Sequence, residues 1–213
     1  MMVRMNTHEL LNWRYATKKF DTSKELPDAD LDHILEAGNL AATSYGLQPF
    51  GLVVVKDKAK KQSLKEAAFG QEHVAENSAL VVVCARTDVN ADYIKEYVNR
   101  VETKRSMDPG SLEDFQSTMI GDLTNRDPKD LLTWSQKQAY IVLGTMMVAA
   151  AEKEVDGCPM EGFNPEQFNE ILGLKEHDLY ASALFAVGYR SPEDETQHYI
   201  KVRRDLKKTV VRM

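Results

Sequence analysis

An α+β domain, with helices around a small central sheet, is the fold this sequence predicts, and three observations predict it. Short apolar runs occur at 50–55, 80–85 and 179–189, the first two rich in valine, as strands do. Between them apolar residues recur at helical spacing. The stretch from Pro128 to Lys153 reads as one long helix whose end, Val148-Ala149-Ala150-Ala151, is apolar all round. A helix apolar on every side is buried on every side, which in a chain of 213 residues implies help from a second subunit.

The elements follow in order. Asn6-Thr7-His8-Glu9 has the form of a capping box, with Leu10, Leu11 and Tyr15 after it at helical spacing. Pro27-Asp28 opens a second helix, with Leu31, Ile34, Leu35 and Gly38 on one face and Leu40-Ala41-Ala42 at its end. Thr43 to Pro49 is a loop, Phe50 to Val55 a strand, Lys56 to Ala68 a helix, and Leu80 to Ala85 a buried strand. Residues 92–132 are charged and helical in pieces, broken at Pro109-Gly110 and Asp127-Pro128. Its composition is the least core-like, so 92–127 is expected to be an excursion, a lid or a partner-facing element. Asn164-Pro165 caps and starts a helix that ends at Gly173. Leu179 to Tyr189 supplies the third strand, and Thr196 to Arg203 is expected to be extended. No repeat or linker interrupts the chain, so residues 1–213 are read as a single domain.

The formal net charge of −6 argues against a general nucleic-acid surface, which needs a basic face. Cys84 and Cys158 lack metal-like spacing. Cys84, inside an apolar run, reads as a small buried hydrophobe, and a reducing compartment fits. The start, Met1 to Asn6, shows no signal-peptide core. The longest apolar stretch, Tyr140 to Ala151, is about 12 residues and too short to span a bilayer. A cytoplasmic protein without a membrane partner is expected.

Several common motifs are absent: GxGxxG, the P-loop, HExxH and GxSxG. The five histidines, His8, His33, His73, His177 and His198, share no ligand spacing, so no metal site is expected. Arg14 and Lys18 stand at i and i+4 and would share one side if the first helix continued. Arg suits a phosphate by bidentate bonding and Lys as a compact charge, although a solvated basic helix end has the same composition. Lys201-Val202-Arg203 repeats the theme, and on a strand both cations would share a face. Thr43-Ser44-Tyr45-Gly46 offers hydroxyls and a flexible backbone, and also reads as a plain turn. In Pro159-Met160-Glu161-Gly162 a fixed φ precedes a carboxylate and a residue free to take positive φ. Such a turn can aim successive N–H groups at one acceptor, or simply connect two helices.

The four words Arg14-Tyr15-Ala16-Thr17-Lys18-Lys19-Phe20, Thr43-Ser44-Tyr45-Gly46-Leu47-Gln48-Pro49-Phe50, Pro159-Met160-Glu161-Gly162-Phe163 and Lys201-Val202-Arg203 occur in that order. Together they resemble the nitroreductase family, in its oxygen-insensitive NAD(P)H nitroreductase and dihydropteridine reductase branch. The likeness extends over nearly the whole chain, including Trp134-Ser135-Gln136-Lys137-Gln138-Ala139-Tyr140 in the long helix.

The resemblance implies an intertwined homodimer with FMN at two interface sites and NADH or NADPH as co-substrate. Hydride would pass by a ping-pong cycle to small aromatic acceptors such as nitroaromatics, quinones or pteridines. Arg14, Lys201 and Arg203 would bind the FMN phosphate, with Tyr15 and Ala16 contributing backbone; family members often carry a hydroxyl residue in place of Ala16. Lys18 would sit near N1 and O2 of the flavin, and Gln71 at its pyrimidine edge. Val74 stands where close relatives can carry a second lysine. Thr43, Ser44 and Gly46 would come from the other subunit, with Gln48 near the cofactor. Pro159 and Met160 would cover one ring face, and Glu161 and Gly162 would present backbone N–H groups to N5 and O4. The Glu161 carboxylate would lie near the reaction centre, making Glu161 and Lys18 the candidate catalytic residues. Ser111 to Leu123 falls in the family's variable substrate-gating segment, with Phe115 and Ile120 as candidates there. A specialised flavin or enone reductase of the same fold, and a non-catalytic FMN-binding protein, are the rival readings.

Overall fold

A computed structural model describes residues 5–213; Met1 to Arg4, within the stretch read for a secretion signal, lie outside the described residues. Helix α1, Thr7–Trp13, begins with the expected capping box: the Asn6 side chain accepts from the amides of His8 and Glu9, and the Glu9 carboxylate accepts from the Asn6 N–H. It ends where Arg14 turns extended, with ψ 142°. Then come α2 (Asp28–Asn39), β1 (Phe50–Val55), α3 (Lys58–Ala67), α4 (His73–Glu76) and β2 (Ala79–Arg86). The second half holds α5 (Ala91–Lys104), α6 (Glu113–Leu123), α7 (Pro128–Glu152), β3 (Asp156–Met160), α8 (Pro165–Leu172), β4 (Leu179–Gly188) and α9 (Leu206–Thr209).

Four strands pair antiparallel in the order β1-β2-β4-β3. All of β2 except its last residue is buried, and it packs on both faces. Leu80, Val82 and Cys84 meet Leu64, Val74 and Phe168 from α3, α4 and α8 on one side. Val81 and Val83 meet Ile34 of α2 and Val142 and Met146 of α7 on the other. Gly38, on the apolar face of α2, lets α7 approach, since a Cβ there would lie 2.8 Å from Met146 Cγ. In β4 the register shifts opposite Val83 and Cys84, which pair with Ala183 and Ala181 and leave Ser182 as a bulge.

Three expectations need correcting. The strand β3 takes up the segment that reads locally as a turn; its Asp-Gly-Cys-Pro-Met composition is poor for a strand, but it is an edge, where a residue without an N–H is tolerated. Arg14 to Lys18 does not continue α1. The chain there is extended, and Ala16 bridges Gly157 in parallel along the outer edge of β3. Thr196 to Arg203 is not a strand: Glu195–His198 forms a 3-10 turn and Lys201 to Arg203 has no regular structure. Helix α7, read from the sequence as needing a second subunit to cover it, is covered only in part within one chain. Trp134, Gln138, Val142 and Met146 face inward, whereas Tyr140 and Ile141 are exposed.

The excursion forms α5 and α6, with a small core of Ile94, Val98, Met119 and Leu123 gathered around Leu47 and Trp134. Among the described residues, no helix is long and apolar enough to cross a membrane.

Candidate active site

The segment Arg14 to Phe20 is positioned by tertiary bonds rather than by helix. Asp194 accepts from the backbone amides of Lys18 (2.8 Å) and Lys19 (3.2 Å) and from the Tyr15 hydroxyl (3.0 Å). Burial raises the Asp194 pKa, but these bonds and the one from Thr196 outweigh it and leave the carboxyl below its ordinary value. Tyr15 is pushed well above the usual phenol value by burial and by Asp194. Extended backbone sends alternate side chains to opposite sides. Tyr15 and Lys19 therefore meet Asp194 and Glu193, while the Lys18 ammonium turns to β3 and lies 3.6 Å from Cys158 Sγ. Arg14 and Lys18 do share a side, by the period of a strand and not of a helix.

Arg14, Lys201 and Arg203 converge although 187 residues separate the first two. Lys201 Nζ donates to the carbonyls of Leu11 and Arg14, closing the C-terminal end of α1. The Arg14 pKa is lowered by burial and by Arg203; that of Lys201 is lowered by burial, Arg14 and Arg203. None of the three has a carboxylate partner among the described residues. Three like charges held together without a counter-charge are an anion site. The cluster fits the phosphate that the resemblance implies.

At the exit of β3, Phe163 N–H donates to the Glu161 carbonyl at 2.9 Å, whereas the amides of Glu161 and Gly162 have no protein acceptor among the described residues. Gly162 does not take the positive φ its type permits. Space at Gly162 is tight, because a Cβ would lie 3.2 Å from Gln71 Nε2 and the Gln71 amide would have to shift. That Nε2 donates to the carbonyls of Gly162 (2.6 Å) and Ala68 (2.9 Å), which joins Gln71 to the β3 exit and leaves its carbonyl oxygen available. Pro159 is half-buried and Met160 buried in the sheet.

The loop Thr43 to Gln48 lies elsewhere on the chain. Ser44 N–H donates to Gln138 Oε1 at 2.8 Å, Gln48 N–H to Thr43 Oγ1 at 3.0 Å, and Gln48 Nε2 to the Asn39 carbonyl at 2.9 Å. No hydrogen bond among the described residues joins this loop to Arg14, Lys18, Lys201 or Arg203. Of the gating candidates, Phe115 packs edge-on against Tyr45 at 6.1 Å between ring centroids, and Ile120 packs on the excursion's core.

Several residues around the site carry no local signal. Tyr140 donates to Glu161 Oε1 at 2.7 Å and to the Ser182 carbonyl at 3.3 Å, and burial and Glu161 push its pKa up to about 12. Cys158 is raised by burial, against the pull of Lys18 and Arg14. Asp194, Gln138 and the buried His73, whose Nε2 lacks a partner, complete the surroundings. Spacing could not have found them, since each is defined by a contact distant in sequence.

The profile of the Nitroreductase family matches residues 11–189. YfkO of Bacillus subtilis (strain 168), an NAD(P)H nitroreductase by name, is 38% identical over 205 residues, covering 89% of this chain and 92% of that protein. The crystal structure of ydfN from Bacillus subtilis, also named a nitroreductase, superposes with a TM-score of 0.87 at 22% identity and covers 97% of this chain and 98% of that one. A protein from Exiguobacterium sibiricum 255-15, by name a nitroreductase in complex with FMN, gives 0.84 at 20% identity, covering 100% of this chain and 99% of that one. Those two structures establish the fold; the profile and the sequence relative establish that this chain belongs to the nitroreductase family.

Proposed function

We propose that this protein is an FMN-dependent NAD(P)H oxidoreductase working as a homodimer, each 213-residue chain forming a single domain. The observation that carries the reading is the convergence of Arg14, Lys201 and Arg203, without a counter-charge, on the strand edge that leads past Lys18 to the free amides of Glu161 and Gly162. The chemistry FMN supplies is two-electron transfer, hydride in from NADH or NADPH and hydride out to a nitroaromatic, quinone or pteridine, in a ping-pong cycle.

The residues do the rest. Arg14, Lys201 and Arg203 hold the phosphate, with Tyr15 and Ala16 lining its approach by backbone. The Lys18 ammonium favours the ring form that carries negative charge at N1 and O2, a fixed charge aimed where charge develops. Gln71 meets the pyrimidine edge, Glu161 and Gly162 donate their amides to N5 and O4, and Pro159 and Met160 cover one face. Thr43, Ser44, Gly46 and Gln48 act from the second chain, in keeping with the absence of any bond from their loop to the cation cluster.

Two features support the dimer. Ile141, Gly144, Thr145 and Val148 form a stripe on α7 that its own chain leaves at least partly open. The tail exposes Tyr199, Ile200 and Val202 at 72–90%, more apolar surface than an isolated chain ordinarily shows in one place. The test is spectroscopic. Flavin bound to the purified protein should bleach on adding NADH or NADPH and recolour with menadione or a nitrofuran. Bound FMN that neither nucleotide bleaches would leave a binding protein and defeat the enzyme reading.

A further inference from the structure

The loop from Thr43 to Gln48 is costly to form. Tyr45, Gly46 and Gln48 all have φ between 56° and 70°, and two of them carry side chains that disfavour the left-handed region. Leu47 between them is fully buried. The bonds that hold this shape come largely from the excursion. Tyr97 of α5 donates to the Tyr45 carbonyl at 2.8 Å, and Tyr93 donates to the carbonyls of Gln48 at 2.8 Å and Leu47 at 3.3 Å. Gly46 sits so close to Tyr97 that a Cβ would lie 2.7 Å from its hydroxyl oxygen. In return Tyr45 donates to Asp122 of α6 at 2.8 Å. Asp122 also accepts from Arg126, whose guanidinium lies 5.5 Å over the Trp134 ring at the start of α7.

Both helices of the clamp are lightly anchored: α5 buries Ile94, Val98 and Glu102 of its 14 residues, and α6 buries Met119 and Leu123 of its 11. A helix so lightly anchored opens at low cost. Moving α6 therefore pulls on Tyr45, and fixing Tyr45 holds α6.

We infer that Tyr45, Tyr93, Tyr97 and Asp122 are positioning residues that couple the α5–α6 excursion to the Thr43–Gln48 loop, so that binding FMN against the loop orders α6. The inference rests on the assignment of that loop to FMN. Because coupling is reciprocal, a ligand that displaces α6 weakens FMN binding. With the loop donated to the other subunit's site, the coupling runs from one subunit's excursion to its partner's cofactor.

Hydrogen exchange on the wild-type protein, with and without FMN, tests the inference. FMN should slow exchange across 113–123 as well as 43–48, and in Tyr45→Phe the effect at 43–48 should persist while that at 113–123 is lost. Tyr97→Phe removes one hydrogen bond and should weaken FMN binding roughly threefold to tenfold in a fluorescence titration. Asp122→Ala, which removes the acceptor of the Tyr45 hydroxyl at a more accessible position, gives the same readout should Tyr97→Phe fail to fold. Wild-type protein that binds FMN without any change at 113–123 would overturn the coupling, as would Tyr97→Phe and Asp122→Ala binding FMN like wild type. Wild-type protein that binds no FMN at all would overturn the cofactor assignment, and the coupling with it.

Discussion

The two polar regions of the site are held in opposite ways. Arg14 to Lys18 is fixed by a carboxylate: Asp194 gathers two amides and a phenol, and Arg14 and Lys18 have no carboxylate partner of their own among the described residues. Thr43 to Gln48 is fixed by neutral tyrosine hydroxyls that hold a left-handed backbone. The first region is therefore sensitive to pH, salt and anions, whereas the second responds to packing and to movement of its neighbours. Charge gives one end its character, and backbone geometry gives the other.

Removing the carboxylate should break the contrast most strongly. Asp194→Ala leaves two amides and a half-buried phenol without their acceptor and should cost about 2–4 kcal/mol of stability in chemical denaturation, with loss of FMN affinity. An unchanged midpoint would show that the segment holds itself. Next comes Arg203→Ala, which removes a charged contact to phosphate. FMN binding should weaken roughly tenfold to a hundredfold, with riboflavin binding nearly unaffected; equal losses for both ligands would remove Arg203 from the phosphate site.

Smaller effects sharpen the comparison. Inorganic phosphate should raise the melting temperature of flavin-free protein through the cation cluster, and Arg203→Ala should reduce that rise while Tyr97→Phe preserves it. The Asp194 pKa is depressed in the folded chain, so its stabilisation is complete above the unfolded value near about 3.9 and is lost as pH falls through the lower folded value. Acid titration of Asp194→Asn should accordingly show a shallower loss of stability below pH of about 4. Smallest of all, Tyr140→Phe frees the Glu161 carboxylate without touching the phosphate end. It should change kcat/KM for an acceptor by roughly twofold to fivefold and leave FMN affinity as it was.

Legibility in the sequence followed the range of the interactions. The strands β1, β2 and β4 are local runs of β-branched and small apolar residues, and α1, α7 and α8 carry their own caps. Strand β3 was not legible, because Asp-Gly-Cys-Pro-Met becomes a strand only by pairing with β4 and with Ala16. The same is true of Arg14 to Lys18, where Asp194 overrides a helical spacing. For the site, the family words located the cations and the β3 exit. Tyr140, Gln138 and Asp194, which set the orientation of those words, belong to other parts of the chain and show no pattern of their own.

The bulge at Ser182 has a further effect on the whole sheet. It reverses the parity of β4: Ala181 faces the same cluster as Leu184 and Ala186, while Ala183 faces the opposite one with Phe185 and Val187. In an unbroken strand Ala181 and Ala183 would share a side. One inserted residue thus lets the two halves of β4 serve different layers, and it also frees the Ser182 carbonyl to meet Tyr140. Deleting Ser182 would leave Ala181 and Ala183 adjacent and on the opposite faces they already occupy, so the strand would regain plain alternation and lose the carbonyl that Tyr140 reaches, whereas deleting any paired residue of β4 would turn one half of the strand over.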